Sequence, residues 1–151
     1  MTDLDMKTLV IVPCGKSKIW DKNPAPQFVK AKEAYTGTYF SLNRKYAEKF
    51  GDGWIILSAK YGFINPDTMI ENYDISFNSK KTNPISTEIL KNQIKNYELS
   101  SFGQIIGLGG QKYRDRISKS FAEYQIEIIF PFENCSGIGD MQRKIKETLK
   151  F

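Results

Sequence analysis

The sequence contains no histidine, and this absence removes whole classes of chemistry. Without an imidazole, neither a Ser-His-Asp nor a Cys-His catalytic arrangement can be built. Histidine-ligated zinc sites are excluded for the same reason, and two cysteines are too few for a four-thiolate site. Any proton transfer must therefore use Asp, Glu, Lys, Tyr or Cys, with a pKa set by burial or by neighbouring groups.

Cysteine and long apolar runs are also scarce. Cys14 and Cys135 cannot form a disulfide framework, and their small number fits a reducing cytoplasm. No apolar run approaches the roughly 20 residues that span a bilayer. The segment Met1–Asp5 lacks the basic and then apolar pattern of a signal peptide. We therefore expect a cytoplasmic protein with no membrane association.

Composition and charge describe a globular chain that favours anionic partners. The 151 residues are enough for a single domain, over residues 1–151, with a core of its own. The net charge of +5 favours an anionic small molecule, such as a nucleotide, or a nucleic acid as the partner. Because the lysines are scattered along the chain, an ordinary solvated surface explains the charge as well. The oligomeric state is left open.

Short β-branched runs alternate with amphipathic stretches along the chain. The runs predict four strands, at 8–13, 54–59, 102–108 and 126–130. Apolar spacing predicts four helices, at about 38–50, from Pro84 or Ser86 to about 98, at 111–122 and at about 139–150.

The strands are apolar on both sides, as buried parallel strands are. Residues 19–34 are predicted to be a long loop, and Ile75 and Phe77 a short edge strand. The alternation predicts an α/β fold of the Rossmann-like type, a three-layer sandwich with a mostly parallel sheet of about four to five strands.

Two lysine-bearing turns follow the first two predicted strands. The first turn is Cys14-Gly15-Lys16-Ser17-Lys18, and the second is Ser58-Ala59-Lys60-Tyr61-Gly62. In a parallel sheet, the carboxyl ends of the strands open into the ligand crevice. The two turns therefore predict one shared polar site.

The first turn is a candidate anion site made by Gly15, Lys16, Ser17 and Lys18. It is not a P-loop, because the required earlier glycine is missing and no helix follows at once. A tight turn with solvated lysines is the alternative interpretation. Cys14 lies beside two cations that favour a thiolate, so it is a candidate nucleophile, although a small buried side chain closing the strand is an equally good explanation.

The second turn offers a polar cluster with room for a ligand. Ser58 and Tyr61 are candidate lining residues of a base or sugar pocket, Ser58 is small enough to leave room for the ligand, and Gly62 permits a sharp turn. Lys60 is a candidate phosphate ligand or nucleophile, or a lysine whose stem simply covers apolar surface.

Two carboxylates follow in the segment Glu71-Asn72-Tyr73-Asp74. Glu71 and Asp74 are candidates for proton transfer, or they only neutralise a basic crevice.

A third glycine-containing turn joins the third strand to the next helix. Gly109 and Gly110 can present free N–H groups of a helix start to an anion, or they only allow close packing of strand and helix. Tyr113 and Arg114 lie in the first turn of that helix and are candidate ligand-binding residues. The turn lacks the dinucleotide fingerprint. No ligand spacing requires a metal, so we predict no metal site and no cofactor, with Mg²⁺ expected only through a phosphate ligand.

The order of these motifs resembles an uncharacterised bacterial and phage family. That family carries Cys-Gly-Lys-Ser-Lys, here residues 14–18, then Tyr-Thr-Gly, here 35–37, and Ser-Ala-Lys-x-Gly, here 58–62. A fainter similarity links Pro13-Cys14-Gly15 and Lys18 to the start of the α/β domain of archaeosine synthases, which modify a deazaguanine base in tRNA. Ile19-Trp20 departs from the Pro-Tyr of that motif. The similarity implies a nucleobase-like ligand in a three-layer fold like that of nucleobase-processing enzymes.

Two functions are compatible with these observations. The first is an enzyme that acts on a nucleotide, a nucleobase or a modified nucleic acid by glycosidic-bond or base-transfer chemistry. In that interpretation the catalytic candidates are Lys60, Glu71, Asp74 and Cys14. The alternative is a non-catalytic module that binds a nucleotide or nucleic acid in the same crevice.

Overall fold

Thr8–Pro13 forms the central strand of the fold, and Leu9 through Pro13 are buried. The computed structural model describes residues 7–150, so Met1–Asp5, the segment with no predicted signal peptide, lies outside the described residues. The strands are β1 (Thr8–Pro13), β2 (Val29–Lys30), β3 (Gly53–Ser58), β4 (Gly62–Ile64), β5 (Met69–Ile70), β6 (Gln104–Gly107) and β7 (Glu127–Ile129). The helices are α1 (Ala31–Ala34), α2 (Thr38–Phe50), α3 (Thr87–Asn96), α4 (Gln111–Ser120) and α5 (Ile138–Leu149).

Five strands form one sheet in the order β4-β3-β1-β6-β7. Strands β3 and β6 lie parallel to β1 on either side of it, and β7 lies parallel to β6. Strand β4 is antiparallel to β3 and forms one edge. These pairings confirm an α/β fold with a mostly parallel sheet of five strands. Strands β2 and β5 form a separate antiparallel ribbon.

Alternate residues of β1 pack into two different apolar clusters. Val10 and Val12 share a cluster with residues of α2 and α5, whereas Leu9 and Ile11 share one with residues of α3 and α4. Side chains alternate across a strand, so β1 is covered from both sides. This burial explains why its sequence is apolar without interruption.

The four predicted helices are confirmed as α2, α3, α4 and α5. Ser86 caps α3, since its Oγ accepts a hydrogen bond from the backbone N–H of Ile89 at 3.3 Å. Helices α2, α4 and α5 follow Gly37, Gly110 and Gly137, which have no side chain for capping. Within residues 7–150, no helix is both long and apolar enough to cross a membrane.

The predicted edge strand is wrong. Ile75 and Phe77 form no strand; they lie in an irregular segment, where Phe77 is buried in the cluster on the α3 side. The antiparallel edge strand is β4, because Gly62 adopts a φ of +75° and reverses the chain so that Ser58 pairs with Gly62. The sequence shows this glycine but not the strand pairing that it permits.

The predicted long loop at 19–34 also contains regular structure. A 3₁₀ turn covers Ile19–Asp21, and β2 and α1 follow before the loop ends. The indole N–H of Trp20 donates to the carbonyl of Pro26 at 2.7 Å, and this bond closes the intervening segment. Pro24 and Pro26 lie in the irregular part of this segment, and tertiary contacts order the residues around them.

We expect Gly62→Ala to lower the free energy of unfolding by about 2 kcal/mol or more. A Cβ at position 62 would collide with Oε1 of Gln93, which accepts from the N–H of Phe63, and would lie on a left-handed backbone. The matched control is Gly139→Ala, where a Cβ meets open space inside α5 and should stabilise by about 0.5 kcal/mol. Urea denaturation measures both changes, and a Gly62→Ala protein as stable as the native one would contradict the role assigned to Gly62.

Candidate functional site

A crevice of about 500 Å³ lies beyond the carboxyl end of β1. Strands β3 and β6 flank β1 on opposite sides, so the connections of the chain leave β1 in two directions. Such a change of direction leaves an opening at the carboxyl end of the central strand. One wall follows β1 along the chain and the other follows β5. The lining residues are Lys16, Ser17, Lys18, Asp21, Asn72, Tyr73 and Asp74.

Lys18 is the buried cation of this crevice. It is 8% exposed, and its Nζ lies 4.5 Å from the centre of the Tyr73 ring. Nζ donates a long hydrogen bond of 3.4 Å to the carbonyl of Lys16. Across the described residues 7–150, no carboxylate forms an ion pair with it. Lysines are almost never buried without a partner, so this ammonium group is an unusual feature.

The loop that carries Lys18 is held from two directions. The backbone N–H of Lys18 donates to Oδ2 of Asp21 at 2.9 Å. Lys18 also forms an isolated antiparallel bridge with Tyr35, and the N–H of Thr36 donates to the carbonyl of Ser17 at 3.0 Å. The segment Tyr35-Thr36 therefore fixes the lysine turn to the rest of the fold.

Tyr73 is the anchor of the opposite wall. Its hydroxyl lies 2.6 Å from the Tyr35 hydroxyl and accepts a hydrogen bond of 3.0 Å from Oγ of Ser58. Ser58 is fully buried, and its Oγ also accepts from the N–H groups of Lys60 and Tyr61 at 3.2 Å and 3.1 Å. Ser58 thus organises the second turn and holds Tyr73 in place. Its hydroxyl is already used by these three hydrogen bonds.

The remaining residues of the second turn lie outside the crevice lining. Lys60 is exposed, with its Nζ 5.0 Å from the centre of the Tyr61 ring. The Tyr61 hydroxyl accepts from the N–H of Glu71 at 3.1 Å, and the Glu71 side chain is exposed. Tyr61 also packs edge-on against Tyr73, so it stabilises the wall that carries Asp74.

Cys14 faces the first turn of α4. Its Sγ lies 3.1 Å from the Tyr113 hydroxyl, and that hydroxyl donates to the carbonyl of Cys14 at 3.2 Å. Gly109 makes this contact possible, because its φ is +116° and a Cβ there would lie 3.0 Å from Cβ of Tyr113. A guanidinium nitrogen of Arg114 donates to the Gly109 carbonyl at 3.0 Å.

Predicted site residues thus fall into two groups in the structure. Lys16, Ser17, Lys18 and Asp74 line the crevice together. The others lie outside that lining, namely Cys14, Gly15, Ser58, Lys60, Tyr61, Gly62, Glu71, Gly109, Gly110, Tyr113 and Arg114. Gly15 and Gly110 need no special backbone, since a Cβ at Gly15 would make ordinary contacts and one at Gly110 would meet open space.

Sequence reasoning missed Asp21 as a lining residue and Tyr35 as a structural partner. Asp21 stands three residues after Lys18, the spacing at which a carboxylate can bond the backbone N–H that opens a short turn. That spacing was the available signal for Asp21. Nothing in the chain near Tyr35 signals its hydrogen bond to Tyr73.

Burial changes the ionisation of the tyrosines below the crevice. It raises the pKa of Tyr35, Tyr73 and Tyr113 above the ordinary value of 10.0, and the neighbouring Cys14 is the second cause in each case. These phenols therefore remain protonated at neutral pH and can keep donating hydrogen bonds. Within the part of the chain that the structure describes, no three Asp, Glu or Cys side chains cluster as a metal site would require.

Similarity to known proteins adds the family. A family model matches the chain over residues 9–147. The chain belongs to the Family of unknown function (DUF6884). A similar protein is "Uncharacterized protein YfjM" of Bacillus subtilis (strain 168), with 36% identity over 146 residues that cover 96% of this chain and 97% of that protein. The expected kinship with an uncharacterised bacterial family is therefore confirmed.

A solved structure supports the fold. The crystal structure of AF0587, a protein of unknown function, matches with a TM-score of 0.50 and 14% identity over 97% of this chain. The chain spans 45% of the length of AF0587, so the likeness concerns that part of it and shows a shared fold alone.

We expect Lys18→Met to leave the free energy of unfolding unchanged or to raise it by up to about 2 kcal/mol. The substitution keeps the apolar stem and removes a buried charge without an ion-pair partner among the described residues. Lys95→Met in α3 replaces an exposed lysine and should stay within about 0.5 kcal/mol of the native value. Thermal and urea denaturation test both, and a loss above about 1 kcal/mol for Lys18→Met would show that the charge stabilises the fold.

Alkaline pH should destabilise the protein through its buried tyrosines. Their pKa is raised above 10.0 in the folded state, so the unfolded chain releases these protons first as the pH rises. The free energy of unfolding therefore keeps its full value below about pH 10 and falls above it. Urea denaturation at a series of alkaline pH values should show a shallower fall for Tyr113→Phe than for the native protein. The exposed Tyr97→Phe should keep the native slope, and equal slopes in all three proteins would refute the assignment.

Proposed function

We propose that the crevice binds an anionic, nucleotide-like ligand and that the protein is an enzyme acting on a nucleotide, a nucleobase or a modified nucleic acid. The reaction we propose is of the glycosidic-bond or base-transfer type. Lys18 holds the anionic group of the ligand, and Asp74 moves the proton. The earlier catalytic candidates Lys60 and Cys14 become supporting residues in this proposal.

One observation carries the proposal: a buried lysine at the wall of an open crevice, with no carboxylate paired to it among residues 7–150. Burying a cation is costly unless an opposite charge compensates it. A ligand phosphate or carboxylate entering the crevice would provide that charge. Lys16, exposed on the same wall, adds a second cation at the mouth.

The wall around Lys18 is rigid enough to orient such a ligand. Tyr73 is fixed by Tyr35 and Ser58, and its ring in turn lies beside the Lys18 ammonium. A charge that is already positioned loses little freedom when the ligand binds. The crevice volume of about 500 Å³ is in the range of small-molecule sites.

Asp74 is the better of the two lining carboxylates for proton transfer. Asp21 is already engaged, since its Oδ2 accepts from the backbone N–H of Lys18. Asp74 lines the crevice, and no hydrogen bond or ion pair engages its side chain among the described residues 7–150. In a chain without histidine, a carboxylate facing the ligand is the natural proton carrier. The similarity of Pro13-Cys14-Gly15 and Lys18 to archaeosine synthases supports a nucleobase within the ligand.

The second candidate function is a binding module without chemistry. It is favoured by the exposure of Lys60, Glu71 and Asp74, since catalytic groups more often lie in partly desolvated positions. Formation of product separates the two candidates. We further propose the three-layer, Rossmann-like arrangement for the fold, which is supported by the two apolar clusters that alternate along β1.

The test combines binding with turnover. We expect at least one of the nucleotides AMP, GMP, CMP and UMP to bind in isothermal titration calorimetry, and Lys18→Met to weaken that binding by about 10-fold or more, because a charge-assisted contact is lost. Lys95→Met should bind like the native protein. If none of the four nucleotides binds, or if Lys18→Met binds as tightly as the native protein, the proposed ligand class is wrong.

Turnover is followed by chromatography and mass spectrometry of the bound nucleotide and of oligonucleotides. Release or exchange of a base should fall by about 100-fold or more in Asp74→Asn, while the affinity changes little. Binding without any product would favour the module over the enzyme.

A further inference from the structure

The ribbon formed by β2 and β5 carries an apolar patch beside the crevice. Phe28 is 46% exposed and Met69 is 54% exposed, both large for apolar side chains. Scattered exposed apolar residues are normal, but these two lie on one small element. Their position relative to the ligand site gives the patch its significance.

The register of the ribbon puts these side chains on one face. Val29 pairs with Ile70, which is buried, and Lys30 pairs with Met69. Continued by one residue, the same register sets Phe28 opposite Glu71. Opposite residues share a face and alternate residues of a strand share it too, so Phe28, Lys30, Met69 and Glu71 form the outer face. We call this set the ribbon face.

Both walls of the crevice continue into the ribbon. Glu71 is followed directly by Asn72, which lines the crevice. On the other wall, Asp21 lines the crevice. The hydrogen bond from the Trp20 indole to the Pro26 carbonyl brings the segment just before Phe28 close to that wall. The ribbon face therefore begins one residue from the ligand site, on the same continuous stretch of chain.

We propose that the ribbon face binds the base next to the one held in the crevice, so that the ligand is a single-stranded nucleic acid rather than a free nucleotide. This rests on the proposed function. Bases of any identity stack on an exposed aromatic ring, and Lys30 offers a cation to the adjoining phosphate. Glu71 repels phosphate, so the sugar-phosphate backbone of the nucleic acid is kept away from Glu71. The Phe28 ring is then left free for the base.

The small size of the ribbon face and the positive charge of the rest of the site favour nucleic acid over a protein partner. A stable protein interface takes about 800 Å² from each partner. Two apolar side chains flanked by a lysine and a glutamate supply far less continuous apolar surface than that. The net charge of +5 and the crevice lysines Lys16 and Lys18 instead suit a polyanion that extends beyond the crevice.

The test compares an oligonucleotide with a mononucleotide. Fluorescence anisotropy follows a labelled single strand of about eight nucleotides, and calorimetry follows the mononucleotide. Phe28→Ala should weaken the oligonucleotide by about 5- to 100-fold, the worth of one stacked base, and leave the mononucleotide unchanged. Phe28→Trp should restore the affinity. Tyr97→Ala, at an exposed aromatic (57%) that follows α3, is the matched control and should change neither affinity.

Salt dependence separates stacking from charge. Phe28→Ala should keep the native slope of log affinity against log salt, whereas Lys30→Ala should flatten it by about 0.7 for one lost phosphate contact. Circular dichroism and thermal melts check that each variant is folded.

Retention of native oligonucleotide affinity by Phe28→Ala, or equal weakening of both ligands, would overturn the proposal. A change of sedimentation mass in Phe28→Ala with unchanged oligonucleotide affinity would overturn it too, in favour of a contact between two copies of the chain. Failure of the proposed function has a different signature: Lys18→Met would then leave mononucleotide binding unaltered or there would be none to alter, whatever Phe28→Ala does.

Discussion

The hydroxyl of Tyr73 is the contact on which the crevice depends. A buried phenol must find hydrogen-bond partners, and Tyr73 finds them on two separate parts of the fold, the Tyr35 hydroxyl and Oγ of Ser58. These bonds tie the segment after β5 to the carboxyl edge of the sheet. They also give the Lys18 ammonium a ring to lie against. Together with the Tyr61 hydroxyl, which accepts from the N–H of Glu71, this tie holds Asn72 and Asp74 opposite Lys16 and Lys18.

The site combines a buried lysine that opposes folding with surrounding residues that are well hydrogen-bonded. Lys18 is buried and forms no ion pair with a carboxylate in the described chain, and a cation in that state opposes folding. Its surroundings, by contrast, satisfy their own polar groups: Asp21 bonds the Lys18 N–H, and Ser58 serves three partners at once. A local departure from folding rules, such as this buried ammonium group, is commonly found at a place that a protein uses for function.

The edge of the sheet that carries the candidate site was predictable because strand ends are predictable. The runs ending at Pro13 and Ser58 are apolar and short, and their pairing in parallel brings both turns to one edge. The direction of individual side chains was not predictable in the same way. Lys60 and Lys18 look equivalent as lysines after a strand, yet Lys60 extends over Tyr61 into solvent while Lys18 turns inward over Tyr73. The backbone around Lys18 is held by the hydrogen bond to Asp21 and by the bridge to Tyr35, and the bridge depends on packing between distant parts of the chain.

The sequence was enough to determine the helices α2 to α5 and the parallel strands, since these follow from the local apolar pattern. Its composition excluded histidine chemistry. Only the tertiary structure decided that β4 is the antiparallel edge, that Lys18 is buried and that Phe28 is exposed where the ribbon of β2 and β5 begins. The reason is physical. Strand pairing, burial and register are set by contacts between residues far apart in the chain, and no local window of sequence contains both partners of such a contact.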